Sequence, residues 1–150
     1  MSPSIRSRRA FTLVETLVTI SVMGLLAAVS VSRINAIEDH QRVSRAINAL
    51  QNRVQTAFSL AVREGHPVRF AWSSSALKFS VTNRGGDTTY RQVALGTDPF
   101  FFKSSEVTVS RTPLEVYPNG LANDTLRVTI TSNGVTKVMR VSQAGLVVIQ

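Results

Sequence analysis

Cysteine is absent from this chain, and acidic residues are few. Without cysteine the protein cannot form disulfides, use a thiol in catalysis or hold a metal through thiolates. Nine acidic residues stand against 17 basic ones, which gives a formal net charge of +8. Three of the positive charges, Arg6, Arg8 and Arg9, lie near the N-terminus. The positive charge is therefore partly a feature of that end and does not by itself indicate nucleic-acid binding.

Residues typical of enzyme active sites are also scarce. Neither of the two histidines, His40 and His66, belongs to a pattern of Asp, Glu or Ser residues that resembles a triad or a metal site. The aspartates lack the spacing of a calcium loop, and no glycine-rich phosphate loop is present. We therefore predict no catalytic residue, no metal site, no cofactor and no enzymatic activity.

Residues 11–64 contain no proline and a single glycine, Gly24, so nothing forces a break in a helix there. Residues 11–31 carry a single charge, Glu15. As a helix this segment would be about 31 Å long, enough to cross the hydrocarbon core of a bilayer. A carboxylate in that core costs roughly 2.5 to 3.5 kcal/mol, so Glu15 requires a partner or a function.

From residue 32 to residue 64 the helical pattern becomes amphipathic, and Gly65 and Pro67 then provide a stop signal. The heptad-like pattern is too short for a coiled coil, so we expect the apolar stripe to pack against a sheet. The stripe consists of residues spaced by three or four: Val43, Ile47, Leu50, Val54, Ala57, Phe58 and Ala61. The polar residues that fall largely off it are expected to face water: Arg42, Arg45, Asn52, Arg53, Gln55 and Arg63.

Beyond Pro67 the apolar residues alternate with polar ones, which predicts β-strands. Asn133 and Gly134 lie between two alternating runs, the strongest short-range signal for a hairpin. Residues 65–150 are therefore predicted to form an antiparallel β head. The predicted strands cover residues 68–72, 77–81, 88–95, 107–109, 114–117, 126–130, 135–142 and 146–149.

Residues 96–99 interrupt the alternating strand pattern, and three consecutive aromatic residues follow them: Phe100, Phe101 and Phe102. In a strand at least one of them would face away from the core. We expect a loop folded over a small core, and a contact with another subunit is the alternative.

The N-terminal segment allows three interpretations. Basic residues before an apolar run also fit a secretory signal peptide cut near Ser30, or a plain signal anchor. Neither explains Glu15. The run Arg8-Arg9-Ala10-Phe11-Thr12-Leu13-Val14-Glu15, with the long apolar helix after it, resembles the start of the type IV prepilin and pseudopilin family.

This resemblance implies a division of the chain and a role for three residues. Residues 1–10 would be a basic leader that prepilin peptidase removes by cutting between Ala10 and Phe11. Members of the family usually have glycine just before the cut, where this chain has Ala10. Phe11 would then be N-methylated. Glu15 would pair with the freed amino group of a neighbouring subunit and set its register. Residues 11–31 would be a transmembrane helix, first in the membrane and then in the filament.

A second, narrower resemblance is to minor pseudopilins of the GspH/FimT type, carried by the turns at residues 62–68, 116–120 and 141–147. It implies an α+β fold: a long N-terminal helix followed by a globular head of two packed antiparallel sheets. The expected function is that of a minor pseudopilin in a type II secretion pseudopilus. Its partners would be prepilin peptidase, the other major and minor pseudopilins, and inner-membrane lipid. The N-terminus would be cytoplasmic and the head periplasmic.

An alternative function is that of a FimT-like minor type IV pilin that binds DNA during uptake. From Gly65 onward nine basic residues stand against five acidic ones, an excess that could form a phosphate-binding face. The candidate contacts are Arg127, Lys137 and Arg140. The basic residues are dispersed singly, without the interleaved aromatics typical of single-strand binding, so ordinary surface charge explains them equally well.

Overall fold

The structure is a computed structural model, and it describes residues 12–150, apart from the side chains of residues 29–36. The predicted leader and Phe11 lie outside the described residues. The chain divides into two compact units, one ending at Ile37 and one covering Glu38–Gln150.

One long helix, α1, covers Leu13–Glu64, in agreement with the continuous helical pattern of the sequence. It ends where predicted, because Gly65 follows with a φ of +69°, a left-handed conformation that commonly terminates helices. Among the described residues, no helix has both the length and the apolar character needed to cross a membrane. Phe11 and the side chains of residues 29–31, which belong to the span predicted at residues 11–31, lie outside the residues described.

In the second unit α1 buries one face, which confirms the predicted stripe. Phe58 is half-buried, and the other six residues of the stripe are fully buried in a core shared with the sheets. Each large aliphatic side chain of this kind contributes about 1.5 to 3 kcal/mol through burial. The prediction that the polar residues off the stripe face water is wrong for Arg42 and Arg53, which are partly buried.

In the part of the chain that the structure describes, eight strands form two four-stranded antiparallel sheets, as the α+β prediction expected. In the first sheet the strand order is β3-β2-β1-β5, and in the second it is β4-β6-β7-β8. The strands are β1 (Val68–Ser73), β2 (Lys78–Asn83), β3 (Thr89–Ala94), β4 (Val107–Val109), β5 (Leu114–Val116), β6 (Leu126–Ser132), β7 (Val135–Val141) and β8 (Val147–Ile149). Each begins and ends within two residues of its predicted bounds.

The registers place alternate side chains of each sheet in the core. In the first sheet Phe70 lies opposite Val81, and the stacked rings of Phe70 and Phe79 are 5.1 Å apart between centroids. In the second sheet Val128 lies opposite Met139, and both are fully buried. One apolar cluster therefore joins the helix stripe to the inner faces of both sheets.

The three consecutive phenylalanines lie in the connection between β3 and the 3-10 turn at Ser104–Glu106. Phe102 is buried, Phe100 is half-buried and Phe101 is 61 % exposed. The prediction of a loop folded over the core is therefore correct for two of the three rings. Phe101 has a φ of +52°, an uncommon conformation for an aromatic residue.

Candidate functional site

The first described residue, Thr12, caps the N-terminus of α1. Its carbonyl oxygen accepts hydrogen bonds from the backbone N–H groups of Glu15, at 3.1 Å, and Thr16, at 3.2 Å. Its Oγ1 also accepts from the Glu15 N–H, at 3.3 Å. Thr followed three residues later by Glu is a helix-start signature that could have located this end from the sequence.

Glu15 lies in the first turn of α1 with its side chain exposed. A carboxylate at this position interacts favourably with the positive end of the helix dipole. Among the residues whose side chains the structure describes, none forms an ion pair with it. The carboxylate is therefore available to a group that this part of the chain does not supply.

Between residues 13 and 28, α1 presents apolar side chains in every direction. A helix that is apolar all round is typical of burial in a larger assembly or in lipid. The polar side chains here satisfy themselves locally: the hydroxyl groups of Thr16, Thr19 and Ser21 donate to backbone carbonyls three or four residues earlier, at 2.6 to 2.8 Å. The exposed apolar residues include Leu13, Val14, Leu17, Val18, Ile20, Val22, Met23, Leu25 and Leu26.

The structure brings together two of the three predicted DNA contacts. Arg127 lies directly opposite Arg140 in the β6–β7 pair, and both are exposed on the outer face of the second sheet. Lys137 lies opposite Ile130, which is buried in the core. Side chains alternate between the two faces of a strand, so Lys137 belongs to the inner face and is only partly exposed.

A polar cluster that the sequence analysis missed joins α1 to the β6–β7 turn. Arg42 forms an ion pair with Asp39 at 3.0 Å, donates a hydrogen bond to Ser132, and lies over the ring of Phe102 at 5.3 Å. The amide of Asn133 donates to Asp39 at 2.8 Å. The spacing of Asp39 and Arg42 is visible in the sequence, but their other partners lie 60 to 94 residues further along the chain.

A second cluster that the sequence analysis missed surrounds Glu115 on the first sheet. The Glu115 carboxylate is paired with Arg69 Nε at 2.9 Å and Arg84 Nε at 3.4 Å. Arg69 and Glu115 face each other across the β1–β5 pair, where opposite charges are favourable. Asn123 Oδ1 accepts from the Glu115 N–H at 2.9 Å. The two arginines thus compensate the charge of this buried carboxylate.

No group of three or more His, Cys, Asp or Glu side chains in the described part of the chain is arranged to hold a metal. His40 and His66 are both exposed. The candidate sites are therefore the start of α1 and the surfaces of the sheets.

Comparison with protein families finds two matches. Residues 46–145 match the family described as Type II transport protein GspH, and residues 5–31 match the prokaryotic N-terminal methylation motif. The chain belongs to the GspH family. Together, the two matches make this GspH-family protein a minor pseudopilin, and they imply a membrane-anchored subunit, processing by prepilin peptidase and assembly with other pseudopilins. No curated protein matches the chain significantly.

Solved structures with the same fold include two pilus-related proteins. The type IV minor pilin FimU of Pseudomonas aeruginosa is 19 % identical, with a TM-score of 0.58 over 76 % of this chain and 92 % of that one. The minor pseudopilin EpsH from the type 2 secretion system of Vibrio cholerae is 10 % identical, with a TM-score of 0.53 over 73 % of this chain and 96 % of that one. At these identities the similarity establishes the fold of the GspH-family protein.

Proposed function

We propose that this GspH-family protein is cut between Ala10 and Phe11, N-methylated on Phe11, and assembled into the pseudopilus of a type II secretion system. It acts by assembly with the other pseudopilins and not by catalysis. The methylation motif over residues 5–31 and the family match over residues 46–145 support this proposal.

The observation that carries the assembly role is the placement of Glu15. Its carboxylate is exposed among apolar side chains on the first turn of α1, with no ion-pair partner among the described residues. In a filament, the free amino group of a neighbouring Phe11 would supply the missing charge. Because both groups lose their hydration, the pair contributes less to stability than to the choice of register.

We assign the domains from the same observations. Residues 1–10 are the leader, 11–31 the membrane segment, 32–64 the amphipathic continuation of the helix, and 65–150 the β head. The apolar surface of the first unit and the locally satisfied hydroxyl groups support burial of this segment in lipid and then in the filament. The basic residues of the leader keep the N-terminus in the cytoplasm, so that the head lies in the periplasm.

The test of this proposal is the mature N-terminus. We expect mass spectrometry of the protein purified from membranes to find N-methylated Phe11 as the first residue. A terminus at Met1, or a cut near Ser30, would contradict the proposal. Ala28→Leu is a matched control, because it spoils the site of an ordinary signal peptidase. It should leave cleavage after Ala10 unchanged.

The second candidate function, DNA binding during uptake, is favoured by the exposed pair of Arg127 and Arg140. The inward placement of Lys137 counts against it. If the first proposal is correct, the protein in detergent shows at most salt-sensitive, non-specific DNA binding, with a dissociation constant above about 1 μM at physiological salt. Submicromolar binding that is lost when Arg127, Lys137 and Arg140 are neutralised would establish the second function instead.

A further inference from the structure

A groove of about 460 Å³ lies at the outer face of the second sheet, beside β8. We call it the β8 groove and define it by Arg127, Arg140, Leu146 and Val148, which are among its lining residues. Leu146 is 66 % exposed and Val148 is 42 % exposed. The groove thus combines two cations with two apolar side chains that are open to solvent.

The two arginines of the groove are charges without compensation. They lie directly opposite each other, an arrangement that is destabilising for like charges. The ion pairs formed among the described side chains involve other arginines, and neither Arg127 nor Arg140 takes part in one. A negatively charged ligand would relieve this repulsion.

The backbone of β8 offers a second binding feature, an open edge. β8 is the last strand of its sheet. Gln150 and Val138 exchange two backbone hydrogen bonds, each of 2.9 Å. Hydrogen-bonded and non-hydrogen-bonded pairs alternate along an antiparallel ladder, so Val147 and Ile149 point their N–H and C=O groups away from β7. In the described part of the chain no strand pairs with that edge.

We propose that the β8 groove binds an extended acidic segment of another protein, which adds to the β8 edge as a further strand. An added strand would lie two strand spacings, about 9 to 10 Å, from β7. A glutamate on that strand and the long side chain of Arg140 together bridge this distance over Val148. Apolar residues of the segment would cover Val148 and Leu146.

An extended peptide fits these features better than a nucleic acid does. A phosphate backbone would use the arginines, but it would leave the unpaired edge of β8 and the apolar side chains unused. The inference concerns the second unit and goes beyond the assembly role of Glu15. It can therefore fail while the proposed function stands.

The test uses the full-length protein in detergent micelles and fluorescently labelled probes. The acidic probe is a peptide of alternating valine and glutamate, and the matched probe has lysine in place of glutamate. We expect the acidic peptide to bind at least about tenfold more tightly than the basic one. On binding it should slow hydrogen exchange at the amides of Val147 and Ile149, which are the open-edge donors.

Two variants separate the groove from general surface charge. Arg140→Gln should weaken binding of the acidic peptide about five- to tenfold. Arg91→Gln, which changes an exposed arginine of β3 in the other sheet, should leave it unchanged. The proposal is overturned by an absence of binding, by equal binding of the two peptides, or by equal effects of the two variants. A short oligothymidylate that binds more tightly than the acidic peptide, without protecting Val147 and Ile149, would assign the groove to nucleic acid.

Discussion

At the scale of single residues, the charged groups differ in whether the protein compensates them. Glu115 is only 9 % exposed and is paired with two arginines. Glu15, Arg127 and Arg140 are exposed and have no ion-pair partner among the residues described. Compensated charges stabilise the head, whereas uncompensated ones are available to other molecules.

Glu115→Ala should lower the free energy of unfolding by about 2 to 3 kcal/mol, since it leaves Arg69 without its partner on the sheet. This loss of stability is smaller than the full cost of breaking a buried pair, because the Arg69 side chain is 37 % exposed and is partly screened by solvent. Urea unfolding followed by circular dichroism measures the change. Glu64→Ala removes the exposed partner of Arg63 and should change stability by less than about 0.5 kcal/mol. Equal effects of the two variants would show that the Glu115 cluster does not stabilise the fold.

Sequence patterns predicted the placement of residues that depends only on their spacing along the chain. The stripe from Val43 to Ala61 was predictable because helical spacing alone puts these residues on one face. Arg42 was not, because Ser132 and Phe102 reach it only after the chain has folded. The face of Lys137 depends on the register of the β6–β7 pair, and a shift of one residue would reverse it.

At the scale of elements, the turn between β7 and β8 is packed tightly against the helix. A Cβ added at Gly145 would lie 2.9 Å from Cδ1 and 3.0 Å from Cε1 of Phe58. Gly145 also has a φ of +79°, which strains any other residue. This turn is therefore fixed by a tertiary contact as well as by its backbone conformation.

Gly145→Ala should destabilise the protein more than Gly86→Ala does. Gly86 has a φ of +84° but open space around it, so its substitution costs only about 1 to 2 kcal/mol of backbone strain. Gly145→Ala adds a clash with Phe58 worth roughly 1 to 3 kcal/mol. Thermal unfolding gives the comparison. If Phe58→Leu fails to recover part of the loss in the Gly145→Ala background, the clash is not its cause.

The type and order of the elements could be predicted, but the arrangement of the sheets could not be derived from the residues alone. Alternation and turn residues located all eight strands. Placing β5 beside β1, across more than 40 residues of sequence, depends on long-range packing that no local pattern encodes. The expectation of two sheets came from the resemblance to GspH/FimT-type pseudopilins.

At the scale of the whole molecule, the second unit has its own core, in which one face of the helix covers the inner faces of two sheets. A fragment beginning at Arg33 should therefore be a folded domain with more strand than helix. Circular dichroism and a cooperative unfolding transition would verify this. A mainly helical or unfolded fragment would show that the head depends on the first unit.

The role of Glu15 is tested most directly by assembly of the Glu15→Ala protein in cells that contain the other pseudopilins. Removing the carboxylate makes membrane insertion easier by up to roughly 3 kcal/mol, so cleavage and insertion should persist. Glu38→Ala, at an exposed position on the same helix, is the matched control.

The measurement is crosslinking to the other pseudopilins, with processing followed in the same samples. We predict that Glu15→Ala is processed normally but crosslinks at least tenfold less than the Glu38→Ala control, because breaking a buried ion pair costs about 3 to 5 kcal/mol. Processed Glu15→Ala protein that crosslinks as well as the wild type would contradict the role of Glu15 in assembly.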